Sequence, residues 1–171
     1  MEEICSGGVN LMLNIKIIAT GDLKENYLRD AIKEYQKRLG AWAKIEEIVL
    51  KEERISDNPS PAEIQKALEV EEKRILEKIS TRSYVIAMCV EGKELSSEEL
   101  AAKISEITTT GKSEIVFIIG SSYGLSPQVK ARADLKLSVS KLTFPHQLLR
   151  VILHETIYRS LSIINNTKYH K

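Results

Sequence analysis

The chain has 171 residues, of which 43% are hydrophobic and 29% are charged, and its formal net charge at pH 7 is +1. This composition is typical of one globular domain, and it argues against a disordered or fibrous chain and against a general nucleic-acid binder. The charge is nevertheless uneven, because residues 121–171 hold eight Lys or Arg against two acidic residues, which indicates either a polyanionic partner or a solvated basic face.

The N-terminal residues 1–12 precede the first predicted strand, and Met12 could itself be an initiator. We interpret them as a leader or an early start outside the fold, with a single domain over residues 13–171. No apolar run approaches the roughly 20 residues of a membrane span, and the N-terminus lacks the features of a signal peptide, so we expect a cytoplasmic protein. Cys5 and Cys89 lie far apart in unlike contexts, and we read both as free thiols.

The remaining chain alternates between predicted strands and predicted helices. Ser60 and Ser96 each precede a Glu three residues later, which predicts a capping box at the start of two helices. The predicted elements are strand 14–20, helix 23–39, strand 44–50, helix 61–79, strand 83–90, a helix from 97, strand 114–120, a short helix from 127, strand 135–140 and helix 145–164.

Near-continuous apolar strands separated by amphipathic helices predict an α/β fold with a mainly parallel sheet covered on both faces. In such a sheet, ligands bind beyond the carboxyl ends of the strands, where loops converge and helix N-termini point at the crevice. The loops after Val90, Gly120 and Ser140 are therefore the candidate site.

Several common sites are disfavoured by spacing. The segment IIGSSYGLS (118–126) is not a GxGxxG fingerprint, so Gly120 marks either a turn or a close approach of backbone to a flat ligand. His146, His154 and His170 lack the spacing of a zinc site, and Cys89 lies inside a predicted strand, so we expect no metal. We find no GxSxG elbow and no Walker loop.

The last predicted helix is apolar over an unusually broad surface. It is either deeply buried or packed on its sheet with one face and on a second subunit with another, and the second reading predicts a two-fold dimer. On that reading Arg150, His154 and Arg159 border an interface or groove. The terminal Tyr169 and His170 then offer stacking and proton-transfer groups in the tail.

From Leu13 to Lys171 the sequence resembles the RlmH (YbeA-like) family of small SPOUT-class methyltransferases. The marks are IKIIATGDLKENY (15–27), EYQKRL, EGKELSSEELA, VFIIGSSYGLS, LSVSKLTFPHQLLRVILHETIYR (137–159) and the terminal KYHK. Family members often carry two adjacent glycines after the fourth strand, and the second of these is Ser121 here.

The resemblance implies a C-terminal deep trefoil knot, a homodimer, and methylation of N3 of a pseudouridine in 23S ribosomal RNA of assembled ribosomes, with S-adenosylmethionine as donor. It places the cofactor contacts on Met88, on Gly120, and on the knot loop, which comprises Val139, Ser140, Lys141, Leu142, Thr143 and Phe144. The spacing of the histidines and the lack of a long apolar run predict no metal and no membrane association. These positions coincide with the three loops selected from sheet topology.

Methyl transfer to an imide nitrogen requires removal of its proton and stabilisation of the resulting anion. The candidate groups are His146, Arg150, Tyr169 and His170, and we expect the last helix to deliver Arg150 towards RNA. Two alternatives remain: a knotted ribosome- or RNA-binding protein without transfer activity, and a flavodoxin-like nucleotide-binding domain.

Overall fold

A computed structural model describes residues 12–170, which form five strands and five helices. The proposed leader 1–12 therefore lies, apart from Met12, outside the described residues. The elements are β1 (Leu13–Thr20), α1 (Asn26–Leu39), β2 (Ala43–Leu50), α2 (Pro61–Leu76), β3 (Ser83–Glu94), α3 (Ser97–Thr108), β4 (Glu114–Ile119), α4 (Pro127–Arg132), β5 (Leu135–Ser138) and α5 (His146–Ile164).

The strands form one parallel sheet in the order β2-β1-β4-β3-β5, which confirms the predicted α/β class. Helices α1, α3 and α5 cover one face over a core that includes Ile17, Phe117 and Leu153. Helices α2 and α4 cover the other face, where Ile18 and Val116 are fully buried. The order differs from the 2-1-3-4-5 order of flavodoxin-like sheets, so that alternative is not supported.

Both predicted capping boxes are present. The Ser60 hydroxyl accepts from the Glu63 amide at 3.3 Å, and the Glu63 carboxylate accepts from the Ser60 amide at 2.7 Å. Ser96 and Glu99 make the same reciprocal pair at the start of α3. Each box satisfies two amides that the first helical turn leaves unpaired.

Four element boundaries differ from prediction by two residues or more, and one of them is the end of α2, which lies at Leu76 rather than Ile79. Helix α1 begins at Asn26 rather than Leu23, because the Arg29 guanidinium binds the carbonyl oxygens of Leu23 and Lys24 and holds the preceding segment outside the helix. Strand β3 continues past Val90 to Glu94 through a register shift against β5. Strand β5 ends at Ser138, two residues earlier than predicted.

The broad apolar surface of α5 is largely explained within one chain. This helix packs between α1 and α3 and contacts the central strand β4, so three sides of it face protein. Its buried residues include Leu153, Ile157 and Leu161. A second subunit is therefore not required to cover most of this helix, and the first of the two readings, a deeply buried helix, accounts for its apolar breadth. Leu148, in its first turn, stays exposed.

Candidate functional site

A cavity of about 280 Å³ lies at the carboxyl ends of β3, β4 and β5. Three segments form its walls: residues 88–91, residues 119–125 and residues 137–144, together with the start of α5. The sequence selected the loops after Val90, Gly120 and Ser140, and the structure brings residues from all three places together, although the first place lies within β3, which continues to Glu94. The lining residues are Met88, Cys89, Val90, Glu91, Ile119, Gly120, Ser121, Ser122, Tyr123, Gly124, Leu125, Lys130, Leu137, Ser138, Val139, Ser140, Leu142, Thr143, Phe144, His146 and Leu149.

The residues that the family resemblance assigned to the cofactor are almost all in these walls. Met88 is buried at the point where β3 shifts register, and Leu142 is exposed at the rim. The exception is Lys141, which is exposed and is not among the described residues that line the cavity. The lining members of the predicted set are Met88, Gly120, Val139, Ser140, Leu142, Thr143 and Phe144.

Serine side chains shape the turn after β5. The Ser138 hydroxyl donates to the Ser140 carbonyl at 2.8 Å, and the Ser140 hydroxyl accepts from the Leu142 amide at 3.0 Å. Such local side-chain to backbone bonds compete with strand pairing, which explains why β5 ends at Ser138. The wall formed by residues 139–144 is thus set by bonds within the chain.

Gly120 is required by a tight turn. A Cβ placed on it would lie 2.2 Å from the carbonyl oxygen of Gly124. Residues Ser121 and Gly124 form an isolated antiparallel bridge, and Gly124 has a positive φ of 82° that L side chains rarely adopt. Of the two readings of Gly120 left open by the sequence, the turn therefore has direct structural support.

Acidic side chains hold this turn from behind, and the sequence analysis did not identify them. The Ser121 hydroxyl donates to Glu71 Oε2 at 2.8 Å, and Glu71 Oε1 accepts from the Glu53 amide at 2.9 Å. Glu52 Oε1 accepts from the amide and hydroxyl of Ser122 at 3.4 and 3.3 Å. Burial raises the pKa of Glu71, although the bonds that Glu71 accepts from Glu53 and Ser121 oppose this rise. No short motif in the sequence marks these acids.

His146 begins α5 and is half-buried in the cavity wall. Its Nε2 lies 3.4 Å from the position that a Cβ on Gly21 would occupy. The amide of Lys24 donates to Gln147 Oε1 at 2.9 Å, which ties the start of α5 to the segment that follows β1. Among residues 12–170, His146 is the one histidine that lines the cavity.

Arg150 lies in a different environment from the one predicted. It is buried, with its Nε donating to Glu47 Oε1 at 3.1 Å, its Nη2 also bound to Glu47, and its Nη1 donating to the Gly21 carbonyl at 3.1 Å. The prediction that α5 delivers Arg150 towards RNA is therefore wrong for this arrangement, because the guanidinium is satisfied inside the chain. Its partners, Glu47 on β2 and Gly21 just after β1, could not be seen from local spacing.

His154 is also inside the protein rather than beside a groove. It is fully buried, its Nδ1 is 2.7 Å from the Arg150 carbonyl, and its Nε2 is 3.8 Å from Glu47 Oε2. Nδ1 therefore carries the proton and donates to the carbonyl, as the carbonyl is an acceptor. Burial lowers the pKa of His154, so the neutral imidazole is the favoured form.

The tail residues Tyr169 and His170 fold back along α5. The Tyr169 hydroxyl donates to Glu155 Oε1 at 3.2 Å, and Arg159 lies 4.8 Å from the centre of its ring. His170 Nε2 lies 2.8 Å from Glu98 Oε1. Burial raises the pKa of Tyr169 to about 12, with hydrogen bonding and nearby negative charge adding to the effect. A phenol with this pKa keeps its proton at neutral pH, so Tyr169 can donate a hydrogen bond but does not accept a proton.

Half of the basic residues counted in the last third of the chain pair with acids of the same chain. Exposed positive charge remains at Lys136, Lys141 and Lys168, and Lys171 lies outside the described residues. The ion pairs are Lys130 with Glu91, Arg132 with Asp134 at 3.6 Å, Arg150 with Glu47, and Arg159 with Glu155 at 2.6 Å.

Residues 12–170 contain neither a metal-binding cluster nor a membrane-spanning helix. No three or more His, Cys, Asp or Glu side chains are grouped so that they could hold a metal ion. None of the helices combines the length and the apolar character needed to cross a membrane.

Comparison with known proteins places the chain among methyltransferases. The family described as "Predicted SPOUT methyltransferase" matches residues 13–170. The chain is 50% identical over 159 residues to "Ribosomal RNA large subunit methyltransferase H" of Streptococcus thermophilus, and 48% identical over 159 residues to the protein of that name from Limosilactobacillus reuteri. Each alignment covers 93% of this chain and 100% of the relative. The similarity thus extends over every element of the fold and every wall of the cavity.

Proposed function

This chain belongs to the SPOUT methyltransferase family, and we propose that it transfers a methyl group from S-adenosylmethionine to N3 of a pseudouridine in 23S ribosomal RNA. The relatives that match over their full length are named as ribosomal RNA large subunit methyltransferases. The observation that carries the proposal is the cavity at the carboxyl ends of β3, β4 and β5, because seven of the eight residues assigned in advance to the cofactor line it.

The residues present fit a nucleoside with a charged, flexible arm. The cavity, at about 280 Å³, is near the lower end of the size range of small-molecule sites. Leu137, Leu142 and Phe144 supply apolar surface for a flat base, and Ser138 and Ser140 supply polar edges. When bound, S-adenosylmethionine supplies an electrophilic methyl group on a sulfonium. Residues 139–144 and 120–124 would hold the donor, since both segments are ordered by bonds within the chain.

The chain's own task is to orient the target base, exclude water and remove the imide proton. Positioning alone can contribute several kcal/mol to such a displacement. We propose His146 as the proton acceptor, because among the described residues it is the imidazole in the cavity wall. Tyr169, whose pKa is raised to about 12, is better suited to donate a hydrogen bond. His170 remains a candidate contact to RNA.

The knot is part of the same proposal. Strand β5 lies at the edge of the sheet beyond β3, whereas α5 lies between α1 and α3. The segment 139–145 must therefore pass α3 to reach the middle of its helical layer. We propose that it does so by threading through the connection between β3 and α3, which would make the donor site and the knot the same structure.

We further propose a cytoplasmic homodimer that acts on assembled ribosomes. Large apolar side chains at the starts of α1 and α5 and the end of β2 are exposed, with Tyr27 at 69%, Val49 at 43% and Leu148 at 39%. Tyr169 and His170 contact α5 and α3 rather than the cavity of their own chain, so a partner could bring its tail to the site. The modest number of exposed cations also favours two chains sharing a large substrate.

Two measurements test the proposed function. Calorimetry should show one S-adenosylmethionine bound per chain and no comparable binding of ATP or NAD. Incubation with methyl-labelled donor and ribosomes that lack the modification should label N3 of one pseudouridine in 23S RNA, with naked RNA fragments labelled far more slowly. Donor binding without any transfer, or ribosome binding without donor binding, would instead favour a knotted RNA-binding protein that has lost activity. Sedimentation would report the dimer independently.

A further inference from the structure

Gly21 is the point where two polar side chains from distant parts of the chain meet. It follows β1 and has a positive φ of 94°. A Cβ placed on it would lie 3.2 Å from Glu52 Oε2 and 3.4 Å from His146 Nε2. The carboxylate and the imidazole therefore border the same small space beside the Gly21 backbone, although they form no hydrogen bond or ion pair with each other.

Hydrogen bonds hold Glu52 and the backbone of Gly21 in place, and Gly21 borders the ring of His146. The second oxygen of Glu52 accepts from the amide and hydroxyl of Ser122, which lines the cavity. The Gly21 amide donates to the Leu50 carbonyl at 2.8 Å, and its carbonyl accepts from Arg150 at 3.1 Å. Glu52 is thus fixed behind the turn 120–124, next to the wall that carries His146.

We propose that Glu52 is a positioning residue for His146 in methyl transfer, an inference that rests on the proposed function. In the reaction, the imide N–H bond of the target base breaks and its proton passes to the imidazole. The electron pair left on nitrogen forms the new bond to the methyl carbon, while the carbon–sulfur bond breaks and its pair stays on sulfur. The positive charge that develops on His146 faces the same space beside Gly21 as the carboxylate of Glu52, and the negative charge of Glu52 stabilises it.

Glu52→Gln is the direct test, because glutamine keeps an oxygen that can accept from Ser122 but lacks the negative charge. We expect kcat for ribosome methylation to fall at least about tenfold, because His146 would be a less effective general base without the negative charge of Glu52. The KM for S-adenosylmethionine and its affinity by calorimetry should stay within about twofold, since the glutamine oxygen keeps the bonds to Ser122 that hold the turn at the donor site. Glu53→Gln is the matched control, as the Glu53 side chain pairs with Arg74 at 2.8 Å, and its kcat should be unchanged.

A double-mutant cycle separates this role from a structural one. In a His146→Ala background, Glu52→Gln should have no further effect on kcat, because the carboxylate acts through the imidazole. If Glu52→Gln does not fold, Glu52→Asp and Glu52→Asn form a second matched pair that differs in charge alone, and the Asp variant should be at least about tenfold faster.

The outcomes are distinct. Equal loss of kcat in the wild-type and His146→Ala backgrounds, or full activity of Glu52→Gln, overturns this inference and leaves the proposed function standing. A wild-type protein that transfers no methyl group overturns both.

Discussion

Replacement of Arg150 by Met should destabilise the fold without a specific loss of ribosome affinity. The guanidinium is 3% exposed and its partner Glu47 is 14% exposed, so the substitution leaves a buried carboxylate without its counter-charge. Breaking a buried ion pair in this way typically costs about 3–5 kcal/mol. We expect about 3 kcal/mol here, because Glu47 retains some contact with solvent. The carbonyl of Gly21 also loses its donor.

Urea unfolding measures this cost. With a slope of about 2 kcal/mol per molar urea for a chain of this size, the midpoint should fall by about 1.5 M. Adding Glu47→Gln to Arg150→Met should recover at least about 1 kcal/mol, since the uncompensated charge is removed. Arg159→Met is the matched control on the same helix: its pair with Glu155 is partly exposed, and it should cost about 1 kcal/mol or less.

Unchanged stability together with weaker ribosome binding would contradict a purely structural role for Arg150. An Arg150→Met protein that unfolds at the wild-type urea concentration, but binds ribosomes at least about tenfold more weakly, would show that the side chain reaches RNA. The original prediction from the sequence would then be restored.

Three further predictions concern single groups. Burial lowers the pKa of His154, so the unfolded state takes up a proton first as the pH falls below about 6.5, and the free energy of unfolding should drop by up to about 1.4 kcal/mol per pH unit there. Urea titrations at about pH 7.5 and about pH 5.5 measure this drop in the wild-type protein and in His154→Gln. The variant should lack the His154 component, and the contributions of the other titratable groups cancel when the two proteins are compared. Gly120→Ala should weaken S-adenosylmethionine binding at least about tenfold by calorimetry, because its Cβ would lie 2.2 Å from the Gly124 oxygen and the turn must move, whereas the Gly40→Ala control should bind normally. Spectroscopic titration at alkaline pH should show one phenol ionising near pH 12, and Tyr169→Phe should remove that step; its persistence would contradict the buried, hydrogen-bonded position of the ring.

Much of the architecture could be read from local patterns. The runs 84–90 in β3 and 115–119 in β4 are continuously apolar, as strands covered on both faces require, and the two Ser–Glu capping boxes mark helix starts through contacts only three residues apart. Once the sheet is parallel, the loops at the carboxyl ends of its strands must share one edge. That is why the location of the cavity followed from strand order along the chain.

The partners of individual side chains were decided by tertiary structure. Arg150 meets Glu47 across 103 positions of sequence, and Ser122 meets Glu52 across 70 positions. Such pairs depend on the sheet order β2-β1-β4-β3-β5 and on the placement of α5 between α1 and α3, neither of which leaves a periodic signal. Hydrophobic periodicity reports which face of an element is buried, whereas the groups that a buried polar side chain meets are set by the packing of elements far apart in sequence.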